Sequence, residues 1–498
     1  MGDGLFNVIG VVVYLAVLLG IGAVASRRTK NLRDFVAAGK QLRFLSVAFS
    51  ARATGESAWL LLGLTGLGAA VGVKAFWVVL GELLGVGCAW MLLARPFKRL
   101  TDRYDSLTIP DYLESRFRDS SHRLRLVAAI SLMVFVSIYV SAQIDATGQA
   151  FEHFLGWNYF IGAAVGFLVV IIYTVGGGFL AVVWSDVFQG AMMFVGLVAL
   201  PICGLIAIGG PGELTERLRA IDPSTLDPLT GVDGAVGVGA LLALVCIGLG
   251  FCGSPQIFSR FLALRSEDEI VRGMTVAMIW TLFADSGAVV IGLCARALLG
   301  IADEGALAGL VEHLLPTFFV GLYIAVVLAA IMSTADSLLV VASSAVVRDV
   351  WQKMMRPDAG DAESLRLIRR WTIGIALVAL VIAMSVAVLS PSRTVFWFVI
   401  FGWSGIAATF CPTMILSLFW RGMTARGAIA AMAVGFAGVP FFKFAAPTFA
   451  VVGPFFAALE ELIPSFCLSG IVGIVVSLTD REGRIKMQDV GDELDAAR

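Results

Sequence analysis

Thirteen long apolar segments constrain this chain more than any other feature of its sequence. A helix needs about 20 predominantly apolar residues to cross the hydrocarbon core of a bilayer, and these segments have that length. The sequence therefore predicts an all-α polytopic membrane protein. Its predicted spans lie near residues 5–25, 44–70, 76–95, 124–150, 158–176, 178–208, 236–262, 272–300, 316–346, 371–390, 396–419, 426–444 and 456–478.

The composition agrees with a membrane protein. The chain is 59% hydrophobic and only 15% charged, whereas a soluble globular chain is usually ~45–50% apolar and ~25% charged. This balance excludes a soluble enzyme, a disordered chain and a nucleic-acid binder with a basic face. The first apolar segment has full span length and lacks a positive leading region, so we expect a true span rather than a cleavable signal peptide.

Basic residues indicate the orientation of the chain. They gather after spans 1, 3 and 9, at residues 27–43, 95–125 and 348–370, and are scarce in the opposite loops. Positive loops stay on the cytoplasmic side, so thirteen spans place the N-terminus outside and the C-terminus inside. We expect a multi-pass plasma-membrane protein whose residues 479–498 form a solvated cytoplasmic tail.

Span 2 carries a polar run at residues 50–59 that includes both a cation and an anion. Arg52 and Glu56 are four residues apart, on one helix face, and can pair. One interpretation is a neutralised pair that only closes a helix contact. We favour a discontinuous helix whose freed carbonyl groups bind an ion or a solute, because helix breaks at this depth are tolerated only against a cavity.

Span 9 holds hydroxyl and carboxylate groups on one face. Ser333, Asp336 and Ser337 follow helical spacing, and their oxygen atoms suit a hard cation such as sodium. A hydrogen-bonded contact between helices is the alternative. Asp186, which follows the glycines at 176–178, is either a helix N-terminal acid favoured by the dipole or a cation ligand near the cytoplasm.

Two interpretations apply to each of the other polar and aromatic residues within the spans. Three acids either line a cavity or pair with Arg52, namely Glu82, Asp145 and Asp285. Four aromatic residues could flank an organic solute, although aromatic residues in spans more often only pack; they are Trp59, Tyr139, Phe251 and Trp403.

No sequence motif indicates catalysis. The chain has no phosphate-binding Walker motif, no HExxH zinc motif and no Ser/His/Asp arrangement, so we expect no enzyme activity. Energy for transport would come from an ion gradient or from the solute itself. Several charges in one membrane core, with two hydroxyl-rich segments, favour coupled transport over a simple channel.

In these segments the chain resembles the sodium:solute symporter family, and most closely its bacterial sodium/proline symporter branch. The resemblance covers about residues 5–478 and rests on five motifs, at 57–64 (SAWLLLGL), 107–112 (LTIPDY), 177–186 (GGFLAVVWSD), 329–334 (AAIMST) and 403–405 (WSG). It implies a five-plus-five inverted-repeat fold of the LeuT type, with the N-terminus outside. The single transporter domain would cover residues 1–478, with repeats at 44–208 and 236–419.

The resemblance also implies ion-binding positions. A sodium ion would lie between the broken span 2 and span 9, bound by the backbone carbonyls of Ala53, Glu56 and Ala330 and by the hydroxyls of Ser333 and Thr334. Some family members have a second sodium site nearer the cytoplasm, which would match Asp186, Asp336 and Ser337 here. Two carboxylates at this place favour a second cation or a proton.

The solute positions match the proline branch only in part. The residues that we expect to line the solute site are Arg52, Glu56, Ser57, Trp59, Tyr139, Ile247, Phe251 and Trp403. Trp59 and Tyr139 agree with the branch, whereas Ile247 and Ser337 stand where it has a tryptophan and a cysteine. In span 2, Gly55 and Glu56 replace its aspartate and methionine, and Arg52 replaces a glycine. Arg52 and Glu56 would either grip the two charges of a zwitterion or pair with each other.

The combined expectation is a sodium-coupled symporter that imports a small organic solute by alternating access, with an amino acid such as proline as the first candidate. The alternatives are another solute (a carboxylate, polar osmolyte or sugar), proton coupling through Glu56, Asp186 and Asp336, or a transporter-fold sensor. The short tail disfavours the sensor, since no output domain is attached. The expected partners are the solute, sodium and the lipid bilayer, with no nucleic acid and no obligate protein partner.

Overall fold

The computed structural model describes residues 2–497, with the side chains of residues 2–8 and 173 excepted. Met1 and Arg498, at the ends of the predicted domain and tail, lie outside the described residues. The α-helices of the first half are α1 (Gly2–Arg28), α2 (Leu32–Ala37), α3 (Phe44–Ala58), α4 (Thr65–Val71), α5 (Phe76–Cys88), α6 (Ala94–Arg103), α7 (Ile109–Phe117), α8 (Arg123–Leu155), α9 (Tyr159–Ile208) and α10 (Pro211–Ile221).

The second half of the chain continues in the same way. Its α-helices are α11 (Gly234–Val245), α12 (Pro255–Ala263), α13 (Glu269–Leu299), α14 (Ala306–Leu314), α15 (Thr317–Ser344), α16 (Asp361–Leu389), α17 (Val395–Phe419), α18 (Ala425–Pro440), α19 (Gly453–Leu459), α20 (Leu462–Thr479), α21 (Arg481–Lys486) and α22 (Val490–Ala497). A π-helical segment, Ala345–Met355, extends α15. An isolated parallel bridge joins Leu42 to Leu264.

Eleven helical stretches among the described residues are long and apolar enough to cross a membrane, and Tyr159–Ile172 forms a further, shorter apolar helix. Their outer faces carry many exposed large apolar side chains, including Ile206 and Val381. Such faces are stable against lipid rather than water. The prediction of an all-α, multi-pass membrane protein is confirmed.

Several of these stretches are interrupted. Ser57, at the end of α3, has a φ of 51° and a ψ of −165°. A residue other than glycine adopts this backbone conformation only at a local cost in free energy. Gly178 breaks α9 with a φ of 60°, which glycine tolerates because it lacks a Cβ. A 3₁₀ turn, Cys246–Cys252, separates α11 from α12. The predicted break in span 2 is therefore confirmed.

The centre of the molecule lies around α3 and α15. Residues 50–58 of α3 are all buried, and so are residues 323–340 of α15. The backbones of α5 and the 3₁₀ turn also pack closely, since a Cβ on Gly85 would collide with the carbonyl group of Gly248. Polar groups in α3 and α15 consequently face other protein groups rather than lipid.

The C-terminal residues differ from the solvated tail that the sequence predicts. They form α21 and α22, and the apolar side chains of Val490 and Leu494 are buried. Glu493 accepts a hydrogen bond of 2.5 Å from the Tyr104 hydroxyl and lies 3.5 Å from Arg118. The tail docks because α22 has one apolar face and its acids meet basic residues of α6 and of the segment after α7.

Candidate cation and solute site

The break at Ser57 releases backbone carbonyls of α3 in the centre of the molecule. In a continuous helix the Ala58 N–H would bond to the carbonyl of Thr54, but it donates to Gln143 Oε1 at 3.1 Å instead. The Thr334 hydroxyl on α15 donates a hydrogen bond of 2.9 Å to that carbonyl of Thr54. Helix α15 therefore supplies the partner that α3 has lost.

Oxygen atoms from the two helices converge at this place. The Ser333 hydroxyl donates to the carbonyl of Ala53 at 2.9 Å and lies 3.1 Å from the carbonyl of Ala330. All of these groups are buried. Neutral hydroxyl and carbonyl oxygens are ligands that hard monovalent cations accept.

The structure thus brings together four of the five residues predicted to bind sodium, namely Ala53, Ala330, Ser333 and Thr334. Thr54 joins them, although the sequence analysis did not select it. The carbonyl of Glu56, the fifth, accepts the backbone N–H of Trp59 within its own segment. The assignment of these oxygens to sodium stays a prediction.

The residues predicted for a second cation surround a basic side chain. Arg260 of α12 is fully buried and donates to Asp186 Oδ2 at 3.1 Å, to the Thr54 hydroxyl at 2.8 Å and to the Ser337 hydroxyl at 2.5 Å. Ser50 donates to the same Asp186 oxygen at 2.6 Å. The positive charge beside Asp186 is therefore a guanidinium, and a second cation there stays a prediction.

Arg260 is not among the predicted site residues, although the sequence contains a signal for it. Arg260 lies inside the predicted span 236–262, and an arginine within a span is expensive unless it is paired. The alternative of Asp186 as a helix N-terminal acid is wrong, because Asp186 lies two turns beyond the break at Gly178.

The predicted solute residues form a continuous buried wall beside the break. The ring of Trp403 lies 5.0 Å from that of Phe251 and 6.4 Å from that of Tyr139, and its indole N–H donates to the Ile247 carbonyl at 3.0 Å. The Tyr139 hydroxyl lies 3.4 Å from the Ser57 hydroxyl. Trp59 completes the wall by donating from its indole to the Gly55 carbonyl at 3.2 Å. Their role as solute ligands stays a prediction.

Arg52 sits at one end of this wall. Its guanidinium contacts the Glu56 carboxylate, which is one of the two alternatives for these residues, and it lies 4.9 Å from the centre of the Phe251 ring. Glu82 and Asp285 also approach the guanidinium, at 3.5 and 3.8 Å, so of their two alternative roles the structure shows the pairing with Arg52.

Asp145 does not join Arg52. It accepts hydrogen bonds from Arg393 Nε at 2.9 Å and from the Tyr159 hydroxyl at 2.5 Å. For Asp145 the predicted pairing with Arg52 is therefore wrong. This ion pair connects α8 to the segment before α17, where it can secure one end of the molecule.

A second charged network lies where α7, the start of α8 and the π-helical segment Ala345–Met355 meet. Arg125 contacts Asp111 at 2.7 Å, Glu114 at 2.6 Å and Asp349 at 2.5 Å. Burial alone would raise the pKa of Glu114, but hydrogen bonds from Arg125 and His122 outweigh it and lower that pKa. The network joins α7 and α8 to the π-helical extension of α15, so a movement of α15 would have to rearrange it.

Broken helices that hold oxygen ligands and paired charges inside a membrane define a secondary transporter. The chain belongs to the sodium:solute symporter family, whose model matches residues 35–435. It is 36% identical over 468 residues to the high-affinity proline transporter PutP of Bacillus subtilis, covering 93% of this chain and 95% of that protein. It is 33% identical over 500 residues to the sodium/proline symporter of Escherichia coli, covering 97% and 95%.

Solved structures show the same fold. A Na+-coupled sialic acid symporter in a substrate-bound outward-open state matches with a TM-score of 0.78 and 20% identity, covering 96% of this chain and 98% of that one. MhsT in complex with L-phenylalanine matches with a TM-score of 0.53 and 18% identity, covering 88% and 97%. The protein is an integral, multi-pass plasma-membrane protein, and its relatives are transporters rather than enzymes.

Proposed function

We propose that this protein is a sodium-coupled secondary active symporter that imports a small amino acid, with proline as the leading solute. The family membership and the names of the two relatives support this function. The observation that carries it is the convergence of oxygens from α3 and α15 beside the break at Ser57. A cation bound there would contact both helices at once.

One sodium ion would be bound by the carbonyls of Ala53, Glu56 and Ala330 and the hydroxyls of Ser333 and Thr334. In the structure the two hydroxyls donate to carbonyl oxygens of α3 and α15. Sodium would replace these hydrogen bonds with ion–oxygen contacts and hold the two helices at a fixed distance. The free energy of sodium binding would therefore depend on the relative position of α3 and α15, as alternating access requires.

We propose that Arg260, rather than a second ion, balances the charge of Asp186. The guanidinium already contacts Asp186 and Ser337, and a sodium ion at the same oxygens would have to overcome its repulsion. The fixed positive charge would keep this part of α9 and α15 attached to α12 whether or not sodium is bound.

The solute would bind against the wall formed by Trp59, Tyr139, Phe251 and Trp403. Aromatic faces suit the apolar ring of proline, and the Tyr139 and Ser57 hydroxyls can hydrogen-bond to its charged groups. The backbone carbonyl of Ile247 accepts a hydrogen bond from the Trp403 indole, so Ile247 would hold Trp403 in its place in the wall.

We further propose thirteen membrane crossings arranged as two inverted five-helix repeats, with the N-terminus outside and the C-terminus inside. The long stretch Phe44–Arg103 and the helix α9, which includes the shorter apolar helix Tyr159–Ile172, would each contain two crossings. Gly72, with a φ of 68°, separates α4 from the helices that follow, and Gly178 divides α9. Breaks in the first span of each repeat, at Ser57 and at Cys246–Cys252, support the repeat relation.

The test is uptake into proteoliposomes with an inward sodium gradient. The solute panel contains proline, other amino acids, carboxylates, polar osmolytes and sugars. We expect proline uptake that requires sodium and that a proton gradient alone does not drive. Uptake of no panel solute under a sodium gradient would contradict the proposal, and proton-driven uptake without sodium would replace the coupling ion.

A further inference from the structure

The side chain of Gln143 on α8 uses only one end of its amide. Gln143 is fully buried, and its Oε1 atom accepts the Ala58 N–H at 3.1 Å. The backbone N–H of Ala58 can only donate, so the amide atom that it meets is the oxygen and the other atom is the nitrogen. That nitrogen, Nε2, has no hydrogen-bond acceptor among the residues that the structure describes. A buried donor without an acceptor costs free energy, which a bound molecule with a suitable acceptor could recover.

The unused donor lies beside the break in α3. The oxygen and nitrogen of a side-chain amide are about 2.3 Å apart, so Nε2 is no more than about 5.4 Å from the Ala58 nitrogen. Tyr139 lies one turn before Gln143 on the same face of α8, and its hydroxyl is 3.4 Å from the Ser57 hydroxyl. The Gln143 amide therefore borders the wall that we propose for the solute.

Other nitrogen donors beside the wall are less suited to a carboxylate. The indole N–H groups of Trp59 and Trp403 already donate to backbone carbonyls, at 3.2 and 3.0 Å. Three carboxylates surround the Arg52 guanidinium, so a further carboxylate there would meet repulsion from like charge. The Gln143 amide, by contrast, has an unused N–H end among the described residues and carries no charge that an acid neutralises.

The backbone near Gln143 also favours an anion. Helical backbone begins again directly after Ser57, because the π-helical segment Trp59–Leu64 and α4 continue it to Val71. The N-terminal end of such a helix carries a partial positive charge. We propose that Gln143 is a solute-binding residue whose side-chain amide donates a hydrogen bond to the carboxylate of the transported amino acid. This inference rests on the proposed import of an amino acid.

Gln143 would connect the solute to the break itself. Its Oε1 atom keeps the Ala58 N–H while its Nε2 atom binds the solute, so a bound carboxylate would be linked through one amide to both α8 and α3. A solute without a carboxylate would leave Nε2 buried and without an acceptor, and such a site rejects the analogue that cannot form the hydrogen bond. Gln143 would thus help to determine which class of solute is accepted.

The experiment compares L-proline with L-prolinamide, which has the same ring and amine but an uncharged amide in place of the carboxylate. Each compound displaces tritiated L-proline from the purified full-length protein in the presence of sodium. We expect the unaltered protein to bind proline at least about 30-fold more tightly than prolinamide. Gln143→Met has a similar length and no donor, and it should reduce this ratio at least about tenfold. If another amino acid of the solute panel binds in place of proline, that amino acid and its amide form the pair.

Two further variants control the measurement. Gln143→Glu has nearly the same shape and keeps an oxygen for the Ala58 N–H, so it guards against a loss of the fold. It lacks the amide donor and places a carboxylate against that of proline, so its ratio should also fall at least about tenfold. Ser137→Ala removes a buried hydroxyl of α8 that donates to a carbonyl of its own helix, and it should leave the ratio unchanged.

Three results would overturn the inference. A ratio that stays within about threefold of the unaltered value in both Gln143 variants would show that Gln143 only supports the break. Equal affinity of the unaltered protein for the acid and its amide would show that no donor recognises the carboxylate. Binding of a carboxylate-free solute of the panel, with no amino acid bound, would exclude the proposed ligand.

The binding measurement separates this inference from the proposed function. If proline binds but a sodium gradient drives no uptake, the proposed symport fails, and the affinity ratio still decides the role of Gln143. If uptake is sodium-driven and the ratio is unchanged in both Gln143 variants, the symport stands and the role of Gln143 fails.

Discussion

Replacing Arg260 by methionine should destabilise the protein strongly. The methionine keeps an apolar stem against the Phe179 ring, which lies 5.1 Å from the Arg260 guanidinium carbon, so little packing is lost. The charge is lost completely. Asp186 is then left buried, and among the described residues its remaining hydrogen bonds come from the Ser50 and Thr54 hydroxyls, at 2.6 and 3.3 Å.

The magnitude follows from the burial of both partners, since Arg260 and Asp186 are each 0% exposed. Removing one member of a buried ion pair typically costs about 3–5 kcal/mol, because the other charge stays buried and uncompensated. That range corresponds to a change of roughly 100- to 5,000-fold in the unfolding equilibrium.

The assay is a double-mutant cycle on detergent-purified protein, with unfolding followed by tryptophan fluorescence. Arg260→Met and Asp186→Asn are each expected to destabilise the protein. The double variant removes both charges, so it should be more stable than the sum of the single effects by about 1–3 kcal/mol. Arg272→Met, at an exposed arginine of α13, is a control that should change stability by less than about 1 kcal/mol.

Two results would refute this reasoning. Additive effects in the cycle would show that Arg260 and Asp186 do not interact in the folded protein. An Arg260→Met variant as stable as the unaltered protein would show that another cation compensates Asp186, as the original prediction of a second ion site requires. Bound sodium measured on the same variant distinguishes these two results.

Three further changes test other parts of the structure. Ser333→Ala should raise the sodium concentration for half-maximal uptake about tenfold, whereas Ser343→Ala on the same helix should not; equal sodium dependence in both would remove Ser333 from the ion site. Trp59→Ala should weaken solute affinity more than sodium affinity, and equal effects in uptake titrations would remove Trp59 from the pocket. Leu494→Asp places a charge at a contact that is 1% exposed and should release the tail to limited trypsin digestion. Ile485→Asp, at a position that is 65% exposed, should leave the tail as resistant as before.

The sequence alone was sufficient to predict the class of the protein and the place of its break. The apolar segments determine where helices can cross a membrane, because each span satisfies its own backbone groups within about 20 neighbouring residues. Polar residues inside such segments are costly, so the run at 50–59 and the face of Ser333 on α15 were recognisable without a partner. These are local properties, and the structure places both segments at the centre of the molecule.

Only the tertiary structure decided which charges meet. Arg260 of α12 contacts Asp186 of α9. Glu82 of α5 and Asp285 of α13 both lie close to Arg52 of α3. Asp145 of α8 pairs with Arg393 and not with Arg52. Each of these pairings depends on how helices pack whose paired residues are about 30 to 250 positions apart, and the hydropathy of a single segment contains no information about its neighbours. The tail docks for the same reason, because the apolar face of α22 becomes buried only where other helices present a matching surface.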